Sequence, residues 1–198
     1  MQKLLYATSN LGKLAEAVNL LSDLPVKLFS LKDFDQKFQT NLSQEDVAET
    51  GETFQENALL KARFFAKKAK MLTVAEDAGL QVKALNGEPG VKSARWFPGT
   101  DADRNKALLD RLKGIDNRQA SFVTVVCLFS PLGEYHFFQG KMPGKIALQA
   151  KGENGFGYDP IFIPEGYEQT FAQLGTEIKN AISHRKKALV KLKDFLLK

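Results

Sequence analysis

The chain has 198 residues and a net charge of +5, from 28 Lys and Arg against 23 Asp and Glu. Hydrophobic residues at 43% and charged residues at 26% are typical of a globular protein and exclude collagen, coiled coils and disorder. No stretch reaches the roughly 18–20 apolar residues of a membrane span, and the single cysteine, Cys127, excludes an internal disulfide. The apolar run of the first ten residues is too short for a secretory signal, so we expect a cytoplasmic protein without a membrane partner.

The positive charge is concentrated at the C-terminal end. Residues 185–198 hold six basic groups and one acid, which leaves 22 basic and 22 acidic groups in residues 1–184. A basic helix is one signature of nucleic-acid binding. Leu189, Leu192 and Phe195 recur on one face, however, and indicate a helix that packs against the protein. We keep a basic nucleic-acid-binding module as an alternative and expect no nucleic-acid partner.

The hydrophobic pattern of the first third predicts alternating strands and helices. A helix ends before Pro25, because proline is poorly tolerated inside helices. A later helix begins at Thr53, since Glu56 lies three residues on, as in a capping box. In chain order the predicted elements are a strand over residues 3–8, a helix from Leu11 or Gly12, a strand over 26–31, a polar loop over 32–51, and the helix capped by Thr53.

A pair of adjacent carboxylates follows the next apolar run. Residues 71–75 and 80–85 are predicted as strands on either side of a turn that carries Glu76, Asp77 and Gly79. Open α/β sheets commonly place their sites where strands end, and Mg²⁺ typically takes one or two carboxylates together with substrate phosphates. A turn closed by an Asx-type hydrogen bond is the structural alternative, and for Asp77 we favour the site.

The second half predicts a β-hairpin and two glycine-rich loops. Helices that alternate with strands, followed by a hairpin, indicate an α/β fold. We expect one domain over residues 1–198, with a mixed twisted sheet flanked by helices and two lobes about a central substrate cleft. The predicted elements are a loop over 86–100, a helix over 101–113, hairpin strands over 121–130 and 135–139, a strand over 144–149, a loop over 152–157, a strand over 161–163 and a basic closing helix.

The segment from Thr8 to Lys13 lies where the first strand turns into a helix. Small residues let backbone N–H groups approach an anion, and Lys13 adds a cation at a helix N-terminus. The segment lacks the Walker A spacing and is equally typical of a plain helix cap with a solvated lysine. Its six residues are Thr8, Ser9, Asn10, Leu11, Gly12 and Lys13.

Residues near the second glycine-rich loop could bind a nucleobase. The ring of Phe156 can stack on a base, and the carboxylate of Asp159 can accept hydrogen bonds from ring N–H groups. A core phenylalanine followed by a turn aspartate is the competing interpretation of this segment. At the start of the last helix, His184 beside Arg185 could donate to a carbonyl, although a lone histidine is more often structural.

Six blocks occur together and in order, and this series closely resembles the inosine triphosphate pyrophosphatase family over essentially the whole chain. Members hydrolyse non-standard purine nucleoside triphosphates to the monophosphate and pyrophosphate, with Mg²⁺ and usually as homodimers. The blocks are Thr8-Ser9-Asn10-Leu11-Gly12-Lys13, Glu49 with Phe54 to Ala62, Glu76-Asp77-Ala78-Gly79-Leu80, Ser93-Ala94-Arg95, Gly155-Phe156-Gly157-Tyr158-Asp159-Pro160, and Ser183-His184-Arg185.

The resemblance implies a role for each matched residue. The segment Thr8 to Lys13 would hold the phosphates, and Asp77 would be the base that activates water. Glu49 and Asp77 would bind the metal, and Lys61 and Lys179 would compensate the charge of the triphosphate. Phe156, in a loop with Gly157 and Tyr158, would stack on the purine, and Asp159 would accept from the N–H edge of the purine. His184 and Arg185 would donate to the 6-oxo group, with Arg95 as a further donor.

The chain departs from the family at one substrate-binding position. The family generally has Ser or Thr after the catalytic aspartate, whereas this chain has Ala78, so a hydroxyl contact is lost. Glu76 replaces the common Asp and keeps the charge. The resemblance extends less closely to Maf-like pyrophosphatases, which prefer modified pyrimidine nucleotides, and Asn10, Lys13 and the Ser183-His184-Arg185 block argue against that alternative.

Overall fold

A single six-stranded sheet runs through the protein, in the order β2-β1-β3-β4-β5-β6. The structure is a computed structural model and describes residues 2–198; Met1, where the predicted domain begins, lies outside the described residues. The strands are β1 Gln2–Tyr6, β2 Val26–Ser30, β3 Leu72–Val82, β4 Gln119–Phe129, β5 Tyr135–Ile146 and β6 Phe162–Pro164. The helices are α1 Leu11–Leu21, α2 Leu31–Phe38, α3 Phe54–Ala69, α4 Asp101–Arg111, α5 Phe171–Ile182 and α6 His184–Leu196.

The sheet is mixed. Strand β1 pairs in parallel with both β2 and β3, whereas β5 and β6 are antiparallel. Helices α1, α2 and α3 connect the parallel strands, which is the expected solution because parallel neighbours need a crossover connection. The predicted α/β class with a mixed sheet flanked by helices is therefore confirmed.

The chain divides into two compact units, each with its own hydrophobic core. The first unit comprises the residues up to 77 together with 124–139 and 187–198, and the second comprises 78–123 and 140–186. Leu4, Val126 and Leu189 lie in the core of the first unit. Leu80, Leu108 and Ile161 lie in the core of the second. The single-domain assignment and the central cleft stay predictions.

The prediction of a loop over residues 32–51 is wrong for its first part, because helix α2 begins directly at the end of β2 and runs to Phe38. Residues 39–51 form no α-helix or strand and contain one short 3₁₀ turn, Leu42–Gln44. Ser30 caps α2: its Oγ accepts from the Asp33 amide at 3.1 Å, and Asp33 Oδ2 accepts from the Ser30 amide at 2.9 Å. Phe34 is buried, and its ring centroid lies 4.6 Å from that of Phe38. This reciprocal cap and the aromatic pair outweigh the polar composition that predicted a loop.

The predicted turn at Glu76, Asp77 and Gly79 is also wrong. Strand β3 runs without interruption through these residues, and both carboxylates are buried within it. Successive side chains on a strand point to opposite faces of a sheet, so Glu76 and Asp77 project in opposite directions. Both carboxylate residues therefore lie in the middle of a strand rather than at its end.

The second half contains one fewer strand and one more helix than predicted. The hairpin is confirmed, with the Ser130 amide donating to the Glu134 carbonyl at 2.8 Å in the turn. The separate strand over residues 144–149 is wrong, because β5 continues to Ile146. Helix α5, capped by Thr170, was not predicted. Within residues 2–198, no helix is both long and apolar enough to cross a membrane.

Candidate active site

A buried carboxylate centre in the first unit is built around Asp77. Lys61 on α3 reaches both carboxylates of this centre, because its Nζ contacts Glu49 Oε1 and lies 3.4 Å from Asp77 Oδ1. Burial raises the pKa of Asp77 above its ordinary value, while the ammonium of Lys61 opposes this shift and the carboxylate of Glu49 reinforces it. A raised pKa makes Asp77 a stronger base than an exposed aspartate.

Asn57 holds the second oxygen of this carboxylate. Its Nδ2 donates to Asp77 Oδ2 at 3.2 Å, and its Oδ1 accepts from the Gly51 amide at 2.8 Å. The side chain is fully buried on the first turns of α3, whose start is set by the Thr53 capping box. Asn57 falls within the block from Phe54 to Ala62, and no role was predicted for it. Its partner is distant in sequence, so only the fold reveals that it orients Asp77.

Glu76 belongs to a different pair from Asp77. Lys13 on α1 places its Nζ 3.8 Å from Glu76 Oε1. The two adjacent carboxylates thus form ion pairs with different lysines, and each buried negative charge is compensated. The ammonium of Lys13 also acts on Asp77, where it opposes the rise in pKa.

The segment between β1 and α1 presents a capped helix N-terminus. Asn10 caps α1, because its Oδ1 accepts from the Lys13 amide at 3.0 Å, and its own amide donates to Thr8 Oγ1 at 3.2 Å. Ser9 and Leu11 are exposed, and Gly12 lies in the first turn. The predicted helix cap is thus present, but Lys13 is not a solvated lysine, because its side chain is only 19% exposed and pairs with Glu76. The first-turn amides retain the dipole that favours an anion.

Glu49 and Asp77 form the donor set that suits a divalent cation best. Within residues 2–198, no group of three or more His, Cys, Asp or Glu side chains is arranged to hold a metal ion. Mg²⁺ does not require three protein ligands, because it usually keeps water and substrate phosphate oxygens in its shell. Both carboxylates already converge on one cation, the Lys61 ammonium. The residues therefore fit a magnesium ion that is bound jointly with a phosphorylated substrate.

In the second unit, a buried ion pair lies against the ring of Phe156. Lys179 Nζ lies 2.6 Å from Asp159 Oδ2 and 4.2 Å from the centroid of the Phe156 ring. The Phe156 amide donates to the same Asp159 oxygen at 2.9 Å. At Gly155, where φ is +83°, a Cβ would collide with Asp159 Oδ2. The glycine-rich loop thus wraps closely around the Asp159 carboxylate.

His184 and Arg185 are both buried in the second unit. Arg185 is 2% exposed, and its Cζ lies 5.8 Å from the centroid of the Phe156 ring, within the range of a cation–π contact. The ring of His184 stacks on that of Phe122, with centroids 4.8 Å apart and planes 10° from parallel. The structure therefore brings Arg185 to the same aromatic ring as Lys179 and Asp159.

Tyr158 connects the loop to the Ser93-Ala94-Arg95 block. Its hydroxyl donates to the Ser93 carbonyl at 2.9 Å, and burial raises the pKa of Tyr158 to about 12. Arg95 lies exposed two residues further along. Ala78, next to Asp77 on β3, is partly buried. Gly157 is held by two residues of α4, Asp101 and Asn105, which were not predicted as site residues.

The two groups of side chains have distinct chemical abilities. The group in the first unit combines a basic carboxylate with lysines and a helix N-terminus, which suits phosphates and activation of water. The group in the second unit combines an aromatic ring with a buried acceptor and buried donors, which suits a flat heterocycle.

Comparison with known proteins gives matches that span nearly the whole chain. The Ham1 family model matches residues 4–195. A dITP/XTP pyrophosphatase of Porphyromonas gingivalis is 44% identical over 200 residues, covering 100% of this chain and 98% of that protein. A solved HAM1 protein from Coxiella burnetii has a TM-score of 0.88 at 40% identity, covering 100% of this chain and 99% of that one. The Staphylococcus aureus Ham1 protein has a TM-score of 0.86 at 38% identity, covering 98% of each chain. These matches confirm the resemblance, and the chain belongs to the Ham1 family.

Proposed function

We propose that this protein is a nucleoside triphosphate pyrophosphohydrolase that converts ITP, dITP and XTP to the monophosphate and pyrophosphate. The observation that carries the proposal is Asp77, a buried carboxylate of raised pKa held between Asn57 and Lys61. Family membership and relatives named dITP/XTP pyrophosphatase support the substrate class. The role is removal of non-standard purine nucleotides from the nucleotide pool.

The proposed reaction is attack of water on the α-phosphorus. Asp77 takes a proton from the water, whose oxygen then bonds to phosphorus while the bond to the bridging oxygen breaks and pyrophosphate leaves. Lys13 and Lys61 offset the negative charge on the triphosphate oxygens, together with the amides at the start of α1. Positioned groups of this kind lower the barrier because they need little rearrangement as charge develops.

Glu49 and Asp77 would hold Mg²⁺ in this proposal. When bound, the ion supplies charge neutralisation and orients the phosphate oxygens. Asn57 keeps one Asp77 oxygen fixed, since its amide nitrogen is a donor and contacts Oδ2. The other oxygen, Oδ1, faces the Lys61 ammonium at 3.4 Å.

The residues around Phe156 would select the purine. Phe156 stacks on the ring in a loop with Gly157 and Tyr158, Asp159 accepts from the N–H edge, and His184 and Arg185 donate to the 6-oxo group, with Arg95 as a further donor. The proposed role of Lys179, like that of Lys61, is to offset triphosphate charge. Adenine has an amino group at position 6, which would leave a buried donor unpaired. Such a mismatch costs about 1–3 kcal/mol, so ATP should be a poor substrate.

A panel of nucleotides tests the proposal directly. Purified protein with Mg²⁺ is incubated with ITP, dITP, XTP, GTP, ATP, TTP and UTP, and pyrophosphate and orthophosphate are measured separately. We expect pyrophosphate release to be fastest from ITP, dITP or XTP. Release of orthophosphate, or equal turnover of ATP, would overturn the proposal. A preference for TTP or UTP would instead support the Maf-like alternative. In a separate binding measurement, steeply salt-dependent binding of DNA or RNA would support the alternative of a basic nucleic-acid-binding module.

We also propose that the protein is a cytoplasmic homodimer, as the family resemblance implies. Light scattering of the purified protein would give about 44 kDa for a dimer against 22.0 kDa for one chain, and the lower mass would refute the dimer.

A further inference from the structure

We propose that Asp101 and Asn105 of α4 are positioning residues that hold the purine-binding loop in its binding conformation. The inference rests on the proposed function and extends it to two residues of α4 whose side chains hold the loop. It follows from the way the two side chains bind the backbone of Gly157, between the stacking residue Phe156 and the acceptor Asp159: Asp101 accepts from its N–H and Asn105 donates to its carbonyl.

The two contacts are complementary. The Gly157 amide donates to Asp101 Oδ2 at 2.7 Å, and the Gly157 carbonyl accepts from Asn105 Nδ2 at 3.0 Å. Residues four apart on a helix lie on the same face, so α4 presents an acceptor and a donor side by side. Both polar groups of Gly157 are therefore bound by one rigid element.

Asp101 is itself held in place. Arg104 Nη2 lies 2.6 Å from Asp101 Oδ1, and Arg104 Nη1 donates to the Gly99 carbonyl at 2.7 Å. Burial works against the charge of Asp101, but hydrogen bonds from Arg104 and Gly157 keep its pKa below the ordinary value. Asp101 is therefore ionised at neutral pH. Its Oδ1 accepts from Arg104, and its Oδ2 accepts from the Gly157 amide.

Asn105 is retained at a position where an amide is unfavourable for stability. The residue is 4% exposed, and among residues 2–198 its Oδ1 has no hydrogen-bond partner. A buried acceptor without a partner destabilises the fold, and an apolar side chain would avoid that loss. The contact that an apolar side chain would lose is the one from Nδ2 to Gly157. We infer that this donation is the function of Asn105.

Gly157 needs such a constraint because its own backbone is permissive. Its φ is +63°, in the left-handed region that glycine enters without strain, and Gly155 has a φ of +83°. Glycines at two positions widen the range of backbone conformations open to the unconstrained loop. The contacts from α4 select the one in which the Phe156 amide donates to Asp159 Oδ2 at 2.9 Å.

The test compares four variants of the full-length protein. Asp101→Ala and Asn105→Ala remove the two contacts, and Asp101→Asn restores an acceptor for the Gly157 amide. Lys106→Ala is the matched control, because Lys106 lies on the same helix with its side chain 78% exposed. Each variant is assayed for KM and kcat with ITP, for thermal unfolding, and for hydrogen exchange in residues 152–161.

We expect Asp101→Ala and Asn105→Ala to raise KM for ITP about tenfold, as loss of one charge-assisted or buried hydrogen bond implies, with kcat changed less than about twofold. Exchange in residues 152–161 should accelerate in both. Asp101→Asn should recover most of the affinity, and Lys106→Ala should match the wild type.

The failure of this inference is distinguishable from failure of the proposed function. If the wild type releases no pyrophosphate from ITP or XTP, the proposed function is overturned and the inference with it. If the wild type is active but both alanine variants keep its KM and its exchange rate, only the inference is overturned. Equal losses in kcat and thermal stability without a change in KM would assign Asp101 and Asn105 to folding alone, which also overturns it.

Discussion

The amide of Asn57 and the carboxylate of Asp77 form a buried pair, with Asn57 Nδ2 3.2 Å from Asp77 Oδ2. The opposite atom of the same amide, Oδ1, accepts from the Gly51 backbone at 2.8 Å. The amide is therefore anchored at both ends, and the orientation of the Asp77 carboxylate is set by a residue on α3 rather than by its own strand. In this orientation, Oδ1 of Asp77 faces the Lys61 ammonium.

Replacement of the base should separate catalysis from stability. We expect Asp77→Asn to lower turnover of ITP by about 10²- to 10⁴-fold, the usual contribution of a general base, while the fold is retained. Burial raises the pKa of Asp77, so its charged form is disfavoured in the folded state, and removal of the charge should not lower the melting temperature. Pyrophosphate release and thermal unfolding measure the two effects.

A suitable control for that variant is Asp110→Asn. Asp110 lies in the last turns of α4 and pairs with Lys106 and Lys113 at the surface. Its replacement should leave turnover unchanged. Near-normal activity of Asp77→Asn would refute the assignment of Asp77 as base.

The unusual alanine after Asp77 offers a gain-of-contact experiment. We expect Ala78→Ser to keep activity equal or to raise it, because Ala78 is only partly buried and serine adds a single hydroxyl at a position where the family generally has one. KM and kcat for ITP, compared with those of the wild type, measure the effect. A severe loss of activity would show that the alanine is required at this position of β3.

Tyr158 should contribute to stability through one hydrogen bond. We expect Tyr158→Phe to lower the free energy of unfolding by about 1–2 kcal/mol, because the Ser93 carbonyl loses its donor at 2.9 Å in a buried setting. Urea unfolding measures the change. Tyr135→Phe is the matched control, since Tyr135 is 48% exposed and should change stability by less than about 0.5 kcal/mol. Equal effects in both variants would contradict the prediction.

Cys127 should be inert in the folded protein. Burial raises the pKa of Cys127 to about 12, so at pH 8 only about one thiol in 10⁴ is the reactive thiolate, and the side chain is inaccessible. Iodoacetamide at pH 8 should add nothing to the native protein, as measured by mass spectrometry. In denaturant the protein should gain a single adduct. Rapid alkylation of the native protein would show that this part of β4 opens readily.

Elements that depend on local contacts could be predicted from the sequence, although one was overlooked. The capping box of Thr53 and Glu56 was predicted and is present, because its partners lie three residues apart. The box of Ser30 and Asp33 is equally local, yet the polar composition of residues 32–51 outweighed it in the prediction. The signal that would have revealed α2 is this box followed by Phe34 and Phe38.

Features that depend on distant partners could not be predicted. Two adjacent carboxylates suggested a turn, because unpaired charges are costly inside a sheet. In the fold, Glu76 forms an ion pair with Lys13 and Asp77 forms one with Lys61, and no local sequence pattern predicts either pair. The contacts of Gly157 with α4 could not be predicted for the same reason, because residues 101 and 105 are distant from residue 157 in the sequence. The motif series nevertheless identified the residues around both carboxylates before their geometry was known.

The backbone at Asp77 and the backbone of the proposed purine-binding loop differ in how readily they can shift to accommodate a substitution. Asp77 lies inside β3, an interior strand of the six-stranded sheet, so a shift of its backbone would disturb this strand and its pairing in the sheet. Phe156 instead lies between two glycines of positive φ in a loop. Under the proposed function, substitutions that alter which base is accepted can therefore accumulate in the loop during evolution, while the strand that would carry the reacting carboxylate stays the same.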